Sequence, residues 1–179
     1  ILFPLAWIDY YTAQQIWYIS EILLFYLSFY LLLTAIDIHL NPSWILLFTL
    51  AFINFYPLSA DLLLGQNHCM MLFFLSSMWL ALKKNKERLA GFLWGITLLL
   101  KQLAWPLVFV LLYHKKYRTL IIGIYTVIAG YIYLGTIIGL KPIFFYYTNT
   151  LPILLNYQIN SPWNLSPLAI GNRLINGAK

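Results

Sequence analysis

The feature that most constrains the fold is an apolar stretch, residues 89–113, with a basic cluster at each end. Lys and Arg collect in the cytoplasmic loops of membrane proteins. A single straight span over 89–113 would place its two basic flanks, 83–88 and 114–118, on opposite sides of the membrane. The charge pattern therefore indicates that the chain enters and leaves the membrane on the same side.

A polar interruption inside this stretch indicates where the chain turns. Lys101 and Gln102 lie at its middle. We predict two short helices, 89–100 and 103–113, that form a hairpin with Lys101 at its tip. Each arm would rise only about 16–18 Å, roughly half of the bilayer. The tip would then lie inside the membrane, where irregular backbone is tolerated only if it lines a protein-walled or wet cavity.

Composition also indicates a membrane protein. Of the 179 residues, 62% are hydrophobic and 9% are charged, too few charges for the surface of a soluble domain of this length. The net charge of +6 does not indicate a nucleic-acid partner, because seven of the eleven Lys and Arg residues lie in the two short clusters. The single cysteine, Cys69, excludes an internal disulfide and a cysteine zinc site. We expect neither a metal nor a cofactor.

The predicted fold is all-α, a polytopic transmembrane helical bundle that forms one domain fragment over residues 1–179. The predicted spans are 14–36, 43–56, 68–82, the short hairpin arms 89–100 and 103–113, and 119–139. A polar break over 57–67 separates the second and third spans, and 140–179 is predicted as an outer polar segment.

The distribution of Lys and Arg predicts the orientation. It places the segments 37–42, 83–88 and 114–118 in the cytoplasm, with seven basic residues inside and four outside. The remaining polar segments then share the outer side. We predict an outward-facing pocket formed by 57–67, the tip at 101–102 and 156–173.

Lys101 is the strongest candidate for a functional residue. A charged side chain deep in a span costs about 2.5–3.5 kcal/mol on insertion scales, and such residues usually mark an ion or substrate path. An ammonium at this position would suit a phosphate at the membrane surface. The alternative is that Lys101 extends to the interface and only caps the hairpin.

Weaker candidates lie in the polar break. Gly65 permits a tight turn, and the amides of Gln66 and Asn67 suit sugar hydroxyls, although the same residues form ordinary helix caps. A lone His68 near a helix end is more often a polar cap than a base. The loop carboxylates, Asp9 and Asp61, are more often solvated or capping than catalytic.

Two further sets of polar residues have competing interpretations. Glu21 lies in the first span, where it could hydrogen-bond a neighbouring helix or face the outer interface. In the tail, Asn160, Asn164 and Ser166 precede Arg173, whose forked donors suit a phosphate. The alternative for this tail is an exposed loop with one interfacial anchor.

The order of these residues resembles a known family. The resemblance rests on Gly65-Gln66-Asn67, a span, a basic loop, Ala90-Gly91 with Gly95, Lys101, a short apolar arm, residues 114–118, and Asn160…Asn164-Leu-Ser166…Arg173. In this order and spacing, the sequence resembles the membrane-embedded glycosyltransferases of family 87, of the C-type superfamily. The resemblance covers roughly residues 57–175, and more loosely the opening from Pro4 to Trp17.

The resemblance implies a transferase that takes a hexose, often mannose, from a polyprenyl-phosphate donor without a nucleotide sugar. The acceptor would be a glycolipid or polysaccharide on the outer face of a membrane, with the bacterial plasma membrane as the expected location. On this basis we expect Lys101 and Arg173 to hold the donor phosphate. The residues expected to bind the sugar or acceptor are Gln66, Asn67, Asn160 and Asn164.

The resemblance also implies where the catalytic acid lies. In this superfamily it lies in the first large outer loop, near the N-terminus, and no segment of this sequence corresponds to that loop. Asp9 lies in what resembles the helix entrance after it, so the catalytic role is not assigned to Asp9. We expect the acid upstream of Ile1 and expect this fragment alone to be inactive.

Two alternatives belong to other functional classes. A secondary transporter or lipid flippase would have discontinuous helices around a midplane site and an internal inverted repeat. The short arms at 89–113 fit the first property, and no second copy of the pattern is visible in the sequence. A structural subunit of a membrane complex, with Lys101 as a simple anchor, is the other alternative.

Overall fold

The computed structural model describes residues 7–39, 41–160, 164 and 166–176. Side chains are described at these positions except 51–53, 57, 58, 61, 158, 160, 173 and 176. All regular secondary structure in the described residues is helical, which confirms the all-α prediction. The chain divides into two compact units, Ile1–Ala129 and Gly130–Lys179.

Seven helices begin in the described part of the first unit: α1 (Tyr10–Ala35), α2 (Pro42–Asn54), α3 (Tyr56–Leu63), α4 (His68–Lys83), α5 (Glu87–Leu100), α6 (Leu107–Tyr113) and α7 (Tyr117–Ile138). The described part of the second unit holds the end of α7 and three further helices: α8 (Leu140–Phe145), α9 (Leu151–Asn160) and α10 (Pro167–Asn176). A π-helical segment joins α8 to α9. By length and composition, α1 and α7 are long and apolar enough to cross a membrane.

The hairpin around Lys101 is present. Helix α5 ends at Leu100, and the backbone of Lys101 is extended, with φ −157° and ψ 125°. The chain then returns through a short 3₁₀ turn and α6. An ion pair of 2.9 Å joins Lys116, which follows α6, to Glu87, the first residue of α5. Because this contact brings the two basic flanks together, the prediction that both lie on one side of the hairpin is confirmed.

The core of the first unit lies between the hairpin and its neighbours. Its buried residues come from α4, α5, the turn, α6 and α7: Met78, Ala81, Ala90, Trp94, Ala104, Leu111 and Leu120. The indole Nε1 of Trp94 donates to the carbonyl oxygen of Ala104 at 3.1 Å. This buried hydrogen bond ties the turn after Lys101 back onto α5.

Helices α1 and α4 run in the same direction. At the start of α4, the backbone N–H of Cys69 donates to Glu21 of α1 at 3.1 Å. At the end of α4, the Lys83 ammonium donates to the carbonyl oxygen of Ala35 and to Asp37, each at 2.5 Å. The end of α1, the end of α4 and the start of α5 therefore meet at one end of the bundle, which we call the basic end.

Two segments differ from their predicted structure. Residues 56–63 form α3, although 57–67 was predicted as a polar break. Pro57 lies in the first turn of α3, where its missing N–H costs no hydrogen bond. The tail also contains more helix than a polar loop would, since Arg173 lies within α10 rather than in a loop.

Glycines allow α5 and α7 to approach closely. A Cβ on Gly91 would lie 2.5 Å from the backbone oxygen of Thr119 and 2.9 Å from the Cβ of Ile122. A Cβ on Gly95 would lie 2.8 Å from the backbone oxygen of Gly123. Small residues at such positions let the backbones of membrane helices touch.

We predict that Gly91→Ala destabilises the intact protein by about 1–3 kcal/mol, the usual cost of overpacking. The added methyl group meets backbone, which cannot rotate away as a side chain could. The melting temperature of the purified protein in detergent measures the effect. Gly171→Ala is the control, because a Cβ there would have no atom of the described residues within 4 Å. Equal melting temperatures for the two variants would contradict the close contact.

Candidate functional site

The ammonium of Lys101 contacts the segment that precedes α4. Its Nζ lies 2.5 Å from Nε2 of His68 and 3.4 Å from Oε1 of Gln66. A charged ammonium only donates hydrogen bonds, so both neighbours act as acceptors and the His68 imidazole carries its proton on Nδ1. Both of these acceptors are neutral, and they use two of the three N–H groups. The arrangement leaves a positive charge and one N–H available for an anionic ligand.

A turn between α3 and α4 places this segment beside Lys101. Gly65 has φ +63°, a conformation that favours glycine, and it lies in the turn that follows α3. Asn67 occupies the N-cap position of α4 but makes no side-chain cap hydrogen bond. Gln66, Asn67 and His68 are all half-buried. The Asn67 amide is therefore not committed to capping the helix.

Glu21 of α1 supplies the cap that Asn67 does not. Its Oε2 accepts from the backbone N–H of Cys69, the second residue of α4, at 3.1 Å. The side chain is 1% exposed. This tertiary cap fixes the first turn of α4 and thereby the position of His68 against Lys101. It also confirms that Glu21 hydrogen-bonds a neighbouring helix rather than facing the interface.

Two buried polar atoms beside this turn are unsatisfied. Oε1 of Glu21 and Nε1 of Trp17, one turn earlier on α1, have no hydrogen-bond partner among the described residues. Buried polar groups without partners in a native structure usually indicate a bound water or ligand. Glu21 and Trp17 of α1 thus offer an acceptor and a donor in addition to the Lys101 ammonium.

An apolar cavity of about 320 Å³ adjoins the same turn. Its lining comes from the first half of α1 and from the end of α3: Tyr10, Ala13, Gln14, Trp17, Tyr18, Leu62, Leu63, Leu64 and Gly65. Gly65 directly precedes Gln66, so the cavity ends at the polar segment that contacts Lys101.

The site lies well inside the length of α1. Glu21 is eleven residues beyond Tyr10, the first residue of this helix of 26 residues. At about 1.5 Å per residue, the contact with α4 lies roughly 16 Å below the start of α1. Helix α5 has only 14 residues, about 21 Å, so it cannot carry Lys101 across a hydrocarbon core of about 30 Å. A cation at this depth requires polar neighbours, which Gln66 and His68 supply.

The other predicted site residues lie in the second unit. Oδ1 of Asn164 accepts from the backbone N–H of Ser166 at 2.9 Å, and Oγ of Ser166 accepts from the N–H of Ala169 at 3.3 Å. Asn164 and Ser166 therefore stabilise the N-terminal end of α10. Asn160 ends α9 and Arg173 lies in α10, and both side chains fall outside the described residues. The binding roles of Asn160, Asn164 and Arg173 remain predictions.

Asp9 has a structural role. It is the N-cap of α1, and its Oδ1 accepts from the backbone N–H of Thr12 at 3.0 Å. Hydrogen bonding by Thr12 lowers the pKa of the Asp9 carboxyl, which stays ionised at the helix start. Asp9 therefore caps a helix, as such carboxylates commonly do. The side chain of Asp61 lies outside the described residues.

Sequence reasoning missed His68 as the partner of Lys101. The two residues are 33 positions apart, and no periodic pattern links them. One feature of the sequence could have indicated this role: His68 directly follows Gln66 and Asn67, the polar pair predicted to bind sugar.

We predict that Glu21→Leu destabilises the intact protein more than Glu21→Gln does. The glutamine keeps an oxygen that can cap Cys69, whereas leucine leaves a buried N–H unpaired at a cost of about 1–3 kcal/mol. Melting temperature in detergent reports the difference. Gln15→Leu, at an exposed position of α1, is the matched control. If Glu21→Leu melts like the control, the cap contributes nothing to stability.

Comparison with known proteins gives one match. The model of glycosyltransferase family 87 matches residues 1–178. No curated protein and no solved structure matches the chain. Since the family match covers nearly every residue, and since the helical fold and the order of motifs agree with it, the chain belongs to glycosyltransferase family 87.

Proposed function

We propose that this chain holds the donor of a membrane glycosyltransferase that moves a hexose, mannose first among the candidates, from a polyprenyl phosphate. The acceptor is a glycolipid or polysaccharide. One observation carries the proposal: the Lys101 ammonium is recessed in the bundle and contacts two neutral acceptors, Gln66 and His68. This geometry provides a fixed positive charge where a lipid-linked phosphate can enter from the membrane.

The neighbouring groups fit the other parts of such a donor. The apolar cavity beside Gly65 suits the first isoprene units of the lipid. The amides of Gln66 and Asn67 can donate to and accept from sugar hydroxyls. Arg173 is proposed as a further phosphate-binding residue, and Asn160 and Asn164 as residues that bind the sugar or acceptor.

The reaction breaks one bond and forms another at the anomeric carbon. The acceptor hydroxyl oxygen attacks this carbon, its proton passes to a carboxylate, and the lipid phosphate leaves with the electrons of the broken C–O bond. Lys101 stabilises the charge that develops on the leaving phosphate, which we expect to be the largest contribution of these residues.

The proposed orientation places the basic end in the cytoplasm and the Lys101 tip toward the outer face of a bacterial plasma membrane. Seven of the eleven Lys and Arg residues lie in the two clusters at the basic end, which supports this orientation. A discontinuous helix at Lys101 would also suit a transporter. The family match favours the transferase.

The proposal predicts that Lys101→Ala lowers transfer by the intact protein on the order of 10²–10³-fold, as removal of one transition-state donor does elsewhere. Transfer of radiolabelled mannose from polyprenyl phosphate in isolated membranes is the measurement. Lys141→Ala, at an exposed position of α8, is the matched control and should keep full activity. Normal turnover by Lys101→Ala, at equal protein levels in the membrane, would refute the assigned role.

A further inference from the structure

A second cavity lies at the basic end, away from Lys101. Its volume is about 560 Å³, and it is lined by Asn85, Lys86, Glu87, Arg88, Leu89 and Arg118. We call it the basic cavity. Five of the lining residues, 85–89, are consecutive and lie in the loop before α5 and in the first turn of α5. The fold adds a distant arginine, Arg118, from the first turn of α7.

The charge of the basic cavity is strongly positive. Lys86, Arg88 and Arg118 are exposed cations. Glu87 is the one acid in the lining, and it already forms an ion pair with Lys116 at 2.9 Å. Three cations, two of them with the forked donors of arginine, make a site suited to a phosphate.

Contacts between α5 and α7 stabilise the shape of the basic cavity. Oγ of Thr119 donates to the carbonyl oxygen of Glu87 at 3.3 Å, which ties the first turn of α7 to the first turn of α5. The close contact at Gly91 fixes the same two helices one turn further along. Arg88 and Arg118 therefore project from two helices whose spacing is set by backbone contact.

The depth of the cavity matches the head-group layer. Helix α7 has 22 residues, about 33 Å, close to the thickness of a hydrocarbon core of about 30 Å. Arg118 is its second residue. If α7 crosses the membrane, the basic cavity lies where the phosphates of one leaflet lie.

Exposed apolar side chains lead from the cavity along both helices. Leu89 and Phe92 are exposed on α5, three residues apart, and Ile121 and Tyr125 are exposed on α7 at helical spacing from Arg118. Both helices begin at the basic end and run away from it, so the two apolar stripes extend side by side. A soluble phosphate would make no use of these stripes, whereas acyl chains would.

We propose that the basic cavity binds the phosphate of an anionic phospholipid, with its acyl chains along the exposed stripes of α5 and α7. This binding is separate from the donor site at Lys101 and does not depend on the proposed reaction. The bound phospholipid would lie at the end of the hairpin opposite Lys101.

The test measures lipid binding to the intact protein purified in neutral detergent. Native mass spectrometry quantifies retained phosphatidylglycerol, with phosphatidylcholine and inorganic phosphate as comparison ligands. The variant Arg88→Gln/Arg118→Gln removes both arginines of the cavity. Lys84→Gln/Lys115→Gln removes the same charge from the loops that precede α5 and α7, outside the cavity lining.

We expect the arginine variant to lose at least about tenfold in phosphatidylglycerol affinity, since charge-assisted hydrogen bonds are worth that much. The lysine variant should stay close to the unmodified protein. An equal loss in both variants would show that only surface charge attracts the lipid, and no loss in either would exclude the cavity. If inorganic phosphate displaced phosphatidylglycerol at similar concentrations, the ligand of the basic cavity would be a soluble anion, and the lipid proposal would be wrong. If the double variant does not purify folded, Arg118→Gln against Lys115→Gln gives the same comparison.

Discussion

The structure depends on how a positive charge is accommodated inside a membrane bundle. Lys101 ends a helix too short to cross the hydrocarbon core, and its ammonium contacts Gln66 and His68. That contact requires the turn at Gly65 and a fixed start of α4, which Glu21 supplies from α1. Glu21, the turn at Gly65 and Lys101 are thus linked by a continuous series of contacts.

The two ends of the bundle have different chemistry. At the basic end, ion pairs such as Lys116 with Glu87 join loops, while further arginines remain exposed. At the other end, the Lys101 ammonium lies half-buried beside the Gln66 amide and the His68 imidazole. Both ends suit a phosphate, and at the Lys101 end the adjacent amides of Gln66 and Asn67 also suit sugar hydroxyls.

Much of the fold could be predicted from the sequence because charge and hydropathy act locally. The basic flanks and the position of Lys101 predicted the hairpin before any contact was known. The contacts of the site could not be predicted in the same way. Glu21 meets Cys69 across 48 positions, and His68 meets Lys101 across 33, since both pairs depend on how helices pack. Helix α3 was missed because Pro57 and the polar residues after it are typical of turns.

The proposed donor site requires the Lys101 tip to open on the face opposite the basic end. Labelling intact cells with a membrane-impermeant maleimide tests it most directly, using Lys101→Cys in a Cys69→Ala background. Cys69→Ala removes the other cysteine of this chain, so that any labelling reports position 101. Lys84→Cys, at the basic end, is the control. We expect position 101 to be labelled from outside and position 84 only after permeabilisation. Labelling of position 101 only after permeabilisation would contradict both the orientation of the hairpin and the proposed donor site.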